Sequence, residues 1–141
     1  MAVAYNPKYL TYEDYQALGG ALEESEFNSL EFKAETKVNW YTFSRLENDT
    51  TFDDKVPLCV YEIIKLLNQY DLALQGLNAD GSVSILKQSN DGVSTDYNNL
   101  SPSEFTERCE DMIKETIQQY LQKVRNEAGQ LVLYRGVYPN E

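Results

Sequence analysis

The sequence predicts an all-α fold, a small bundle of about four helices with a β-hairpin-like or irregular loop before the last long helix. Two observations carry this prediction: apolar residues recur at three- and four-residue steps in long segments, and capping signals mark where helices begin. The chain has 141 residues, of which 42% are hydrophobic. That length and composition suit one core, so we expect residues 1–141 to form a single domain.

The first two helices are predicted from their boundaries. Thr11 is a candidate N-cap with Asp14 three residues on, and Gly19 and Gly20 should end this short helix. The second helix is predicted from about Glu24 to about Phe43. Its apolar face comprises Phe27, Leu30, Ala34, Val38 and Tyr41, with Glu26, Glu31, Glu35 and Lys37 between these positions.

A third helix, the most central one, is predicted from about Asp53 to Leu74. Asp53 or Asp54 can cap it, and Pro57 lies in the first turn, where proline is tolerated. The apolar face comprises Val56, Cys59, Val60, Ile63, Leu67, Tyr70 and Leu74, widened by Ile64 and Leu66.

The helical period disappears between residues 76 and 99, where Ser82 to Leu86 reads as a short extended segment between turn signals. The last helix then begins with Ser101 as N-cap and Pro102 at its first position, and we expect it to end near Ala128 and Gly129.

Two apolar features are candidates for partner contacts. Trp40, with Tyr41 and Phe43, forms an aromatic cluster that either fills a helix–helix corner or belongs to a partner surface. The C-terminal segment 130–141 is the stronger candidate, because so many apolar residues need burial. It either packs on its own bundle as an edge strand or docks on another chain through Leu131, Val132, Leu133, Tyr134, Arg135, Val137 and Tyr138.

Composition argues against several functions. Twelve Lys and Arg against 23 Asp and Glu give a net charge of −11, so tight, specific nucleic-acid binding is not expected. The chain has no histidine, which removes the usual general base and zinc ligand. The turn at Asp80 and Gly81 fails the calcium-loop pattern, since Lys87 stands where a carboxylate is required. We therefore expect no enzymatic activity, no metal and no cofactor.

The cysteines and the chain start predict a protein of a reducing cytoplasm. Cys59 and Cys109 both fall within helical patterns, where we expect small buried side chains. Neither a signal peptide nor a membrane span is predicted, because no sufficiently long apolar run occurs.

Most of residues 8 to 125 resembles the small head–tail connector (head-completion adaptor) proteins of tailed bacteriophages and prophages. The resemblance is carried by packing motifs, which are Tyr12-Glu13-Asp14-Tyr15, Gly19-Gly20, Phe27 to Glu35, Trp40 to Arg45, Val56 to Glu62 and Ser89 to Ser94. The segment from Gly76 to Lys87 departs from the family, being longer and richer in turns.

The resemblance implies a helical adaptor that forms a ring, a dodecamer by resemblance, beneath the portal protein. Such a ring extends the DNA channel and links the capsid to the stopper or tail-completion protein. An acidic wall would let DNA slide, because it offers few cations to phosphates. The implied location is the host bacterial cytoplasm during assembly and then the virion neck, and a monomer in isolation is compatible with this.

A ring contact needs two different complementary faces on each copy. On this hypothesis the C-terminal segment docks on the portal. The loop residues Val83, Ile85 and Leu86 contact neighbouring subunits or the stopper. An alternative from another class is an acidic inhibitor that mimics DNA, which would need carboxylates spaced like phosphates along one face.

Overall fold

A computed structural model of the chain describes residues 5–75, 83–88 and 95–137, with the backbone alone for the residues between 83 and 100. Four helices follow in the order α1 (Tyr12–Ala17), α2 (Glu24–Tyr41), α3 (Lys55–Gln75) and α4 (Pro102–Leu121). Two short strands, β1 (Val83–Gln88) and β2 (Thr95–Leu100), lie between α3 and α4. The all-α class, with a small helical bundle, is confirmed.

The predicted helix starts are confirmed where side chains cap them. The Thr11 hydroxyl accepts a hydrogen bond from the backbone N–H of Asp14 at 3.1 Å, and Ser101 does the same for Glu104 at 3.3 Å. Each bond satisfies an N–H that has no partner inside its helix. At α3, the Asp53 carboxylate accepts from the N–H of Lys55 at 2.9 Å.

The core lies where α3 packs between α2 and α4. From α3 it takes five buried side chains, Val56, Cys59, Val60, Ile63 and Ile64. From α2 and α4 come Phe27, Leu30, Ala34, Val38, Ile113, Ile117 and Leu121. The central role predicted for the third helix is therefore confirmed, and Cys59 and Cys109 are buried as expected.

Strands β1 and β2 pair antiparallel, with Val83 opposite Leu100 and Gln88 opposite Thr95. Residues 89–94, which connect them, lie outside the described residues. The predicted turn at Asn90 to Gly92 lies outside them too.

The prediction that the last helix runs to Ala128 is wrong, because α4 ends at Leu121. Beyond it the chain reverses in a tight turn. The N–H of Asn126 donates to the carbonyl of Gln130 at 2.9 Å, and Gly129 adopts a φ of 82°, which glycine tolerates. Val124 and Val132 then pair through a backbone hydrogen bond of 3.1 Å. The chain therefore forms a turn here instead of a further helical segment, and Val124 and Val132 are both buried.

Within the described part of the chain, the helices are all too short or too polar to cross a membrane.

Candidate functional site

One strip of exposed positions on α2 carries aromatic side chains and no charge, with the exposed Lys33 beside it. Positions 25, 29, 32, 36 and 40 follow helical spacing and are all exposed, and they hold Ser, Ser, Phe, Thr and Trp. Phe32 is 59% exposed and Trp40 78%. In a chain with 25% charged residues, a solvent-facing helical strip without charge departs from the usual polar face.

The turn after α2 directs a third aromatic side chain outward. Phe43 and Ser44 have φ values of 55° and 58°, in the left-handed region that costs roughly 1–2 kcal/mol per non-glycine residue. The turn is held by the buried Thr42, whose hydroxyl donates to the carbonyl of Val38 at 2.7 Å. It is also held by a 2.9 Å bond from the Ser44 N–H to the carbonyl of Asn39. As a result Phe43 is half exposed, while Arg45, two residues later, is buried.

Arg45 fastens the C-terminal segment to the bundle. It is only 7% exposed, and its guanidinium donates to the carbonyls of Leu131 at 3.1 Å and Gly136 at 2.7 Å. It also donates to the carbonyl of Tyr134. An arginine fork is suited to such an array because its donors are fixed in one plane.

The same guanidinium lies between two rings, 5.0 Å from the centre of Phe43 and 5.9 Å from that of Tyr134. Trp40 and Phe43 line one cleft of about 720 Å³ at the end of α2. We define the aromatic surface as Phe32, Trp40, Phe43 and Tyr134. Aromatic residues are enriched at the centres of protein interfaces, and the rims are polar. This surface has the aromatic enrichment, and the exposed Glu47, which lines the same cleft, and Lys33, next to Phe32, lie at its border.

A buried carboxyl lies where the N-terminal segment covers α2, next to Phe32, whose ring centre is 5.7 Å from that of Tyr5. Glu31 is fully buried and accepts a hydrogen bond from the Tyr5 hydroxyl, while Glu35 accepts from the backbone N–H of Lys8 at 2.8 Å. Burial, and then the hydrogen bond and charge of Glu35, raise the pKa of Glu31 to about 9. Glu31 is therefore protonated near neutral pH, and together the two glutamates hold the N-terminal segment on α2.

The structure divides the predicted partner-binding residues of the C-terminal segment into two groups. Val132 is fully buried in the core, and Leu131 and Leu133 are half buried. Tyr134, Arg135 and Val137 are exposed, Val137 to 80%. The segment thus packs on its own bundle through its first half and presents its second half to solvent.

The other predicted residues fall differently. The side chains of Val83, Ile85 and Leu86, and all of Tyr138, lie outside the described residues. Of the aromatic cluster, Tyr41 is half buried, but the interpretation of a packed corner is wrong for Trp40, which is largely exposed.

Two contributions were missed from the sequence. Glu31 was placed among the polar positions between apolar ones, although it is buried. Arg45 stood next to a polar break with no apolar period around it, and its partners lie 86 to 91 residues away. The aromatic residues shortly before it, among them Tyr41 and Phe43, are the local signal that could have pointed to Arg45.

The reactive groups of the described residues include two thiols and a set of carboxylates. Burial raises the pKa of Cys59 to about 12 and that of Cys109 to about 11, so neither thiol is an activated nucleophile. Among the described residues, no three Cys, Asp or Glu side chains are grouped to hold a metal ion. Comparisons of the chain with protein-family models, with curated proteins and with solved structures found no match.

Proposed function

We propose that the chain is a structural virion protein of the head–tail connector type. It forms a ring under the portal protein, extends the DNA channel, and links the capsid to the stopper or tail. The observation that carries this proposal is the aromatic surface, four solvent-facing aromatic side chains on a chain with a net charge of −11. The resemblance stated above supplies the class of partner, and the charge accords with a wall along which DNA slides.

The exposed aromatic side chains support binding to a protein partner. Leaving a Phe side chain exposed forgoes roughly 1.5–3 kcal/mol of the stabilisation that its burial would give. Trp and other large aromatic residues contribute most of the energy at protein interfaces. The rigid helix that presents Phe32 and Trp40 also lowers the entropy lost on binding.

The alternative, an acidic DNA mimic, receives less support. A mimic needs free carboxylates along one face, but several acidic side chains have other roles. Glu31 is buried, Glu35 and Glu127 accept backbone hydrogen bonds, and Glu110 pairs with Lys37.

The experiment is light scattering on the full chain, alone and after mixing with the portal protein encoded nearby on the same genome. We expect a stable complex with the portal. Trp40→Ala should weaken that complex at least tenfold, as expected for an aromatic residue at the centre of an interface. Leu72→Ala is the matched control, because Leu72 is also exposed, to 59%, but lies on α3.

A chain that ignores the portal contradicts the proposal. If it instead displaces DNA from a nuclease or repressor, the DNA-mimic alternative gains. Equal losses from Trp40→Ala and Leu72→Ala would show that the aromatic surface is not the contact.

A further inference from the structure

A second apolar depression lies between α1 and the start of α3. It has a volume of about 280 Å³, and its apolar walls include Leu18 and Leu58, which are 41% and 39% exposed. Asp14 and Asp54 also line it, and both side chains are exposed. We name it the α1–α3 cleft. An apolar floor beside two carboxylates suits a ligand that pairs an apolar group with a cation.

The exposed end of the C-terminal segment has that chemistry. Val137 is 80% exposed, and Arg135, two residues before it, is exposed as well. Arg45 holds this end in place by donating to the carbonyls of Tyr134 and Gly136, on either side of Arg135. An anchored segment loses less entropy on binding than a free one.

Charge selects between the surfaces that a second copy offers. Two copies with a net charge of −11 each repel, so a contact that brings a cation to carboxylates is favoured over others. The aromatic surface has no charge to offer the aspartates. Arginine also matches carboxylates in geometry, since its fork donates two parallel hydrogen bonds.

We propose that Arg135 and Val137 of one copy dock in the α1–α3 cleft of a second copy. Val137 covers Leu18 and Leu58, and Arg135 meets the two aspartates. This inference rests on the proposed function, whose ring it provides with a subunit contact.

The cleft and the docking residues have no member in common, so the contact can be made head to tail. Every copy added in that way leaves one cleft and one docking end open, which is the arrangement that closes rings or propagates filaments, whereas two copies docked reciprocally would stop at a dimer. The aromatic surface stays available for the portal.

The test uses disulfide trapping in the full chain, at high protein concentration and again in the presence of the portal. Val137→Cys combined with Leu18→Cys should give a ladder of covalent multimers on mild oxidation. The native chain should give none, because Cys59 and Cys109 are buried with raised pKa values. Val137→Cys combined with Leu72→Cys is the matched control, since Leu72 is more exposed than Leu18 but lies outside the cleft.

Charge reversal adds an independent test. In the cysteine pair, Arg135→Asp should lower the yield of multimers roughly fivefold, the upper range for an exposed ion pair. Adding Asp54→Arg should restore it. Asp54 is chosen over Asp14 because the latter lies in the first turn of the short helix α1.

Absence of the ladder, or an equal ladder from the control pair, overturns the cleft contact. Portal binding by the native chain is measured in parallel. Portal binding without the ladder overturns this inference alone, and a ladder without portal binding overturns the connector function but retains the subunit contact.

Discussion

The two ends of the described chain are both fastened to the bundle by α2 and the turn that follows it, but with opposite chemistry. At the N-terminal end, Glu31 accepts a hydrogen bond from the Tyr5 hydroxyl, and Glu35 accepts one from the backbone N–H of Lys8. At the C-terminal end, the guanidinium of Arg45 donates hydrogen bonds to a series of backbone carbonyls.

The difference lies in what pH does to each attachment. Glu31 gains a negative charge in a buried site when pH rises through its raised pKa, whereas arginine keeps its charge throughout. The N-terminal attachment is therefore sensitive to alkaline pH, and the guanidinium attachment next to Phe43 and Tyr134 is not.

The largest effect should come from Arg45→Ala. It leaves several buried or half-buried carbonyls without their charged donor, and hydrogen bonds to charged groups contribute about 1.5–3 kcal/mol each. We expect a loss of roughly 4 kcal/mol in the free energy of unfolding, measured by urea denaturation, and faster amide exchange at Val132.

Two variants bracket that result. Arg45→Lys keeps the charge without the fork and should lose an intermediate amount. Arg135→Ala, on the exposed part of the same segment, should change stability by less than about 0.5 kcal/mol. Equal effects of Arg45→Ala and Arg135→Ala would contradict the anchoring role.

The N-terminal attachment should show its chemistry as pH dependence. The pKa of Glu31 is about 9 in the folded protein against 4.5 ordinarily, so the folded state binds the extra proton between these values. The stability contributed by this group is complete below pH 4.5 and is lost as pH rises toward 9, at up to about 1.4 kcal/mol per pH unit.

Denaturant unfolding of the native chain and of Glu31→Gln, at pH 6 and pH 8, measures this. The glutamine mimics the neutral carboxyl. The stability of the variant should therefore fall much less between pH 6 and pH 8 than that of the native chain. Glu107→Gln, an exposed site on α4, should behave like the native chain. If the stability of Glu31→Gln falls as steeply with pH as that of the native chain, the pH dependence comes from other groups.

Sequence reasoning found what depends on neighbours along the chain. The caps at Thr11 and Ser101, the apolar face of α3 and the burial of Cys59 all follow from short-range patterns. It missed what long-range partners decide. Glu31 is buried because the N-terminal segment covers it. Arg45 is buried because it donates hydrogen bonds to backbone carbonyls near the other end of the chain.

The end of α4 shows the same limit. Residues 122–128 have a composition compatible with a helix. In the structure Val124 is instead hydrogen-bonded through its backbone to Val132, and both side chains are buried in the core. The sequence named parts of the candidate site, the exposed half of the C-terminal segment and, as one of two alternatives, the cluster of Trp40 and Phe43. The strained turn that adds Phe43 to it has no signature in the sequence.

A smaller effect with the opposite pH sign is expected at Glu127. Its carboxylate accepts hydrogen bonds from the N–H groups of Thr50 and Thr51 at 3.1 and 3.0 Å. The Thr51 hydroxyl and then these backbone bonds lower the pKa of Glu127 to about 2. Its contribution is present above pH 4.5 and is lost as pH falls toward 2.

Glu127→Gln should lower the Tm by about 3 °C at pH 6 and by less at pH 2.5, as followed by circular dichroism. The amides of Thr50 and Thr51 should exchange faster in the variant, and those of the N-terminal segment should not. Faster amide exchange at Tyr9 in this variant would mean that the Glu127 contact and the N-terminal attachment are coupled.

The smallest effect tests the turn that separates Phe43 from Arg45. Ser44→Gly should stabilise the protein by about 0.5–1 kcal/mol. The left-handed φ of 58° costs serine roughly 1–2 kcal/mol, and the extra freedom of glycine in the unfolded chain offsets part of that gain. Ser29→Gly, the same change at an exposed position inside α2, should destabilise, because glycine is a poor helix former. If Ser44→Gly also destabilises, the turn is held by the serine side chain and not by its backbone. If Ser44→Gly stabilises the protein and leaves portal binding unchanged, the left-handed backbone at residue 44 only places Phe43 outside and Arg45 inside. Glycine adopts the same backbone geometry with less strain.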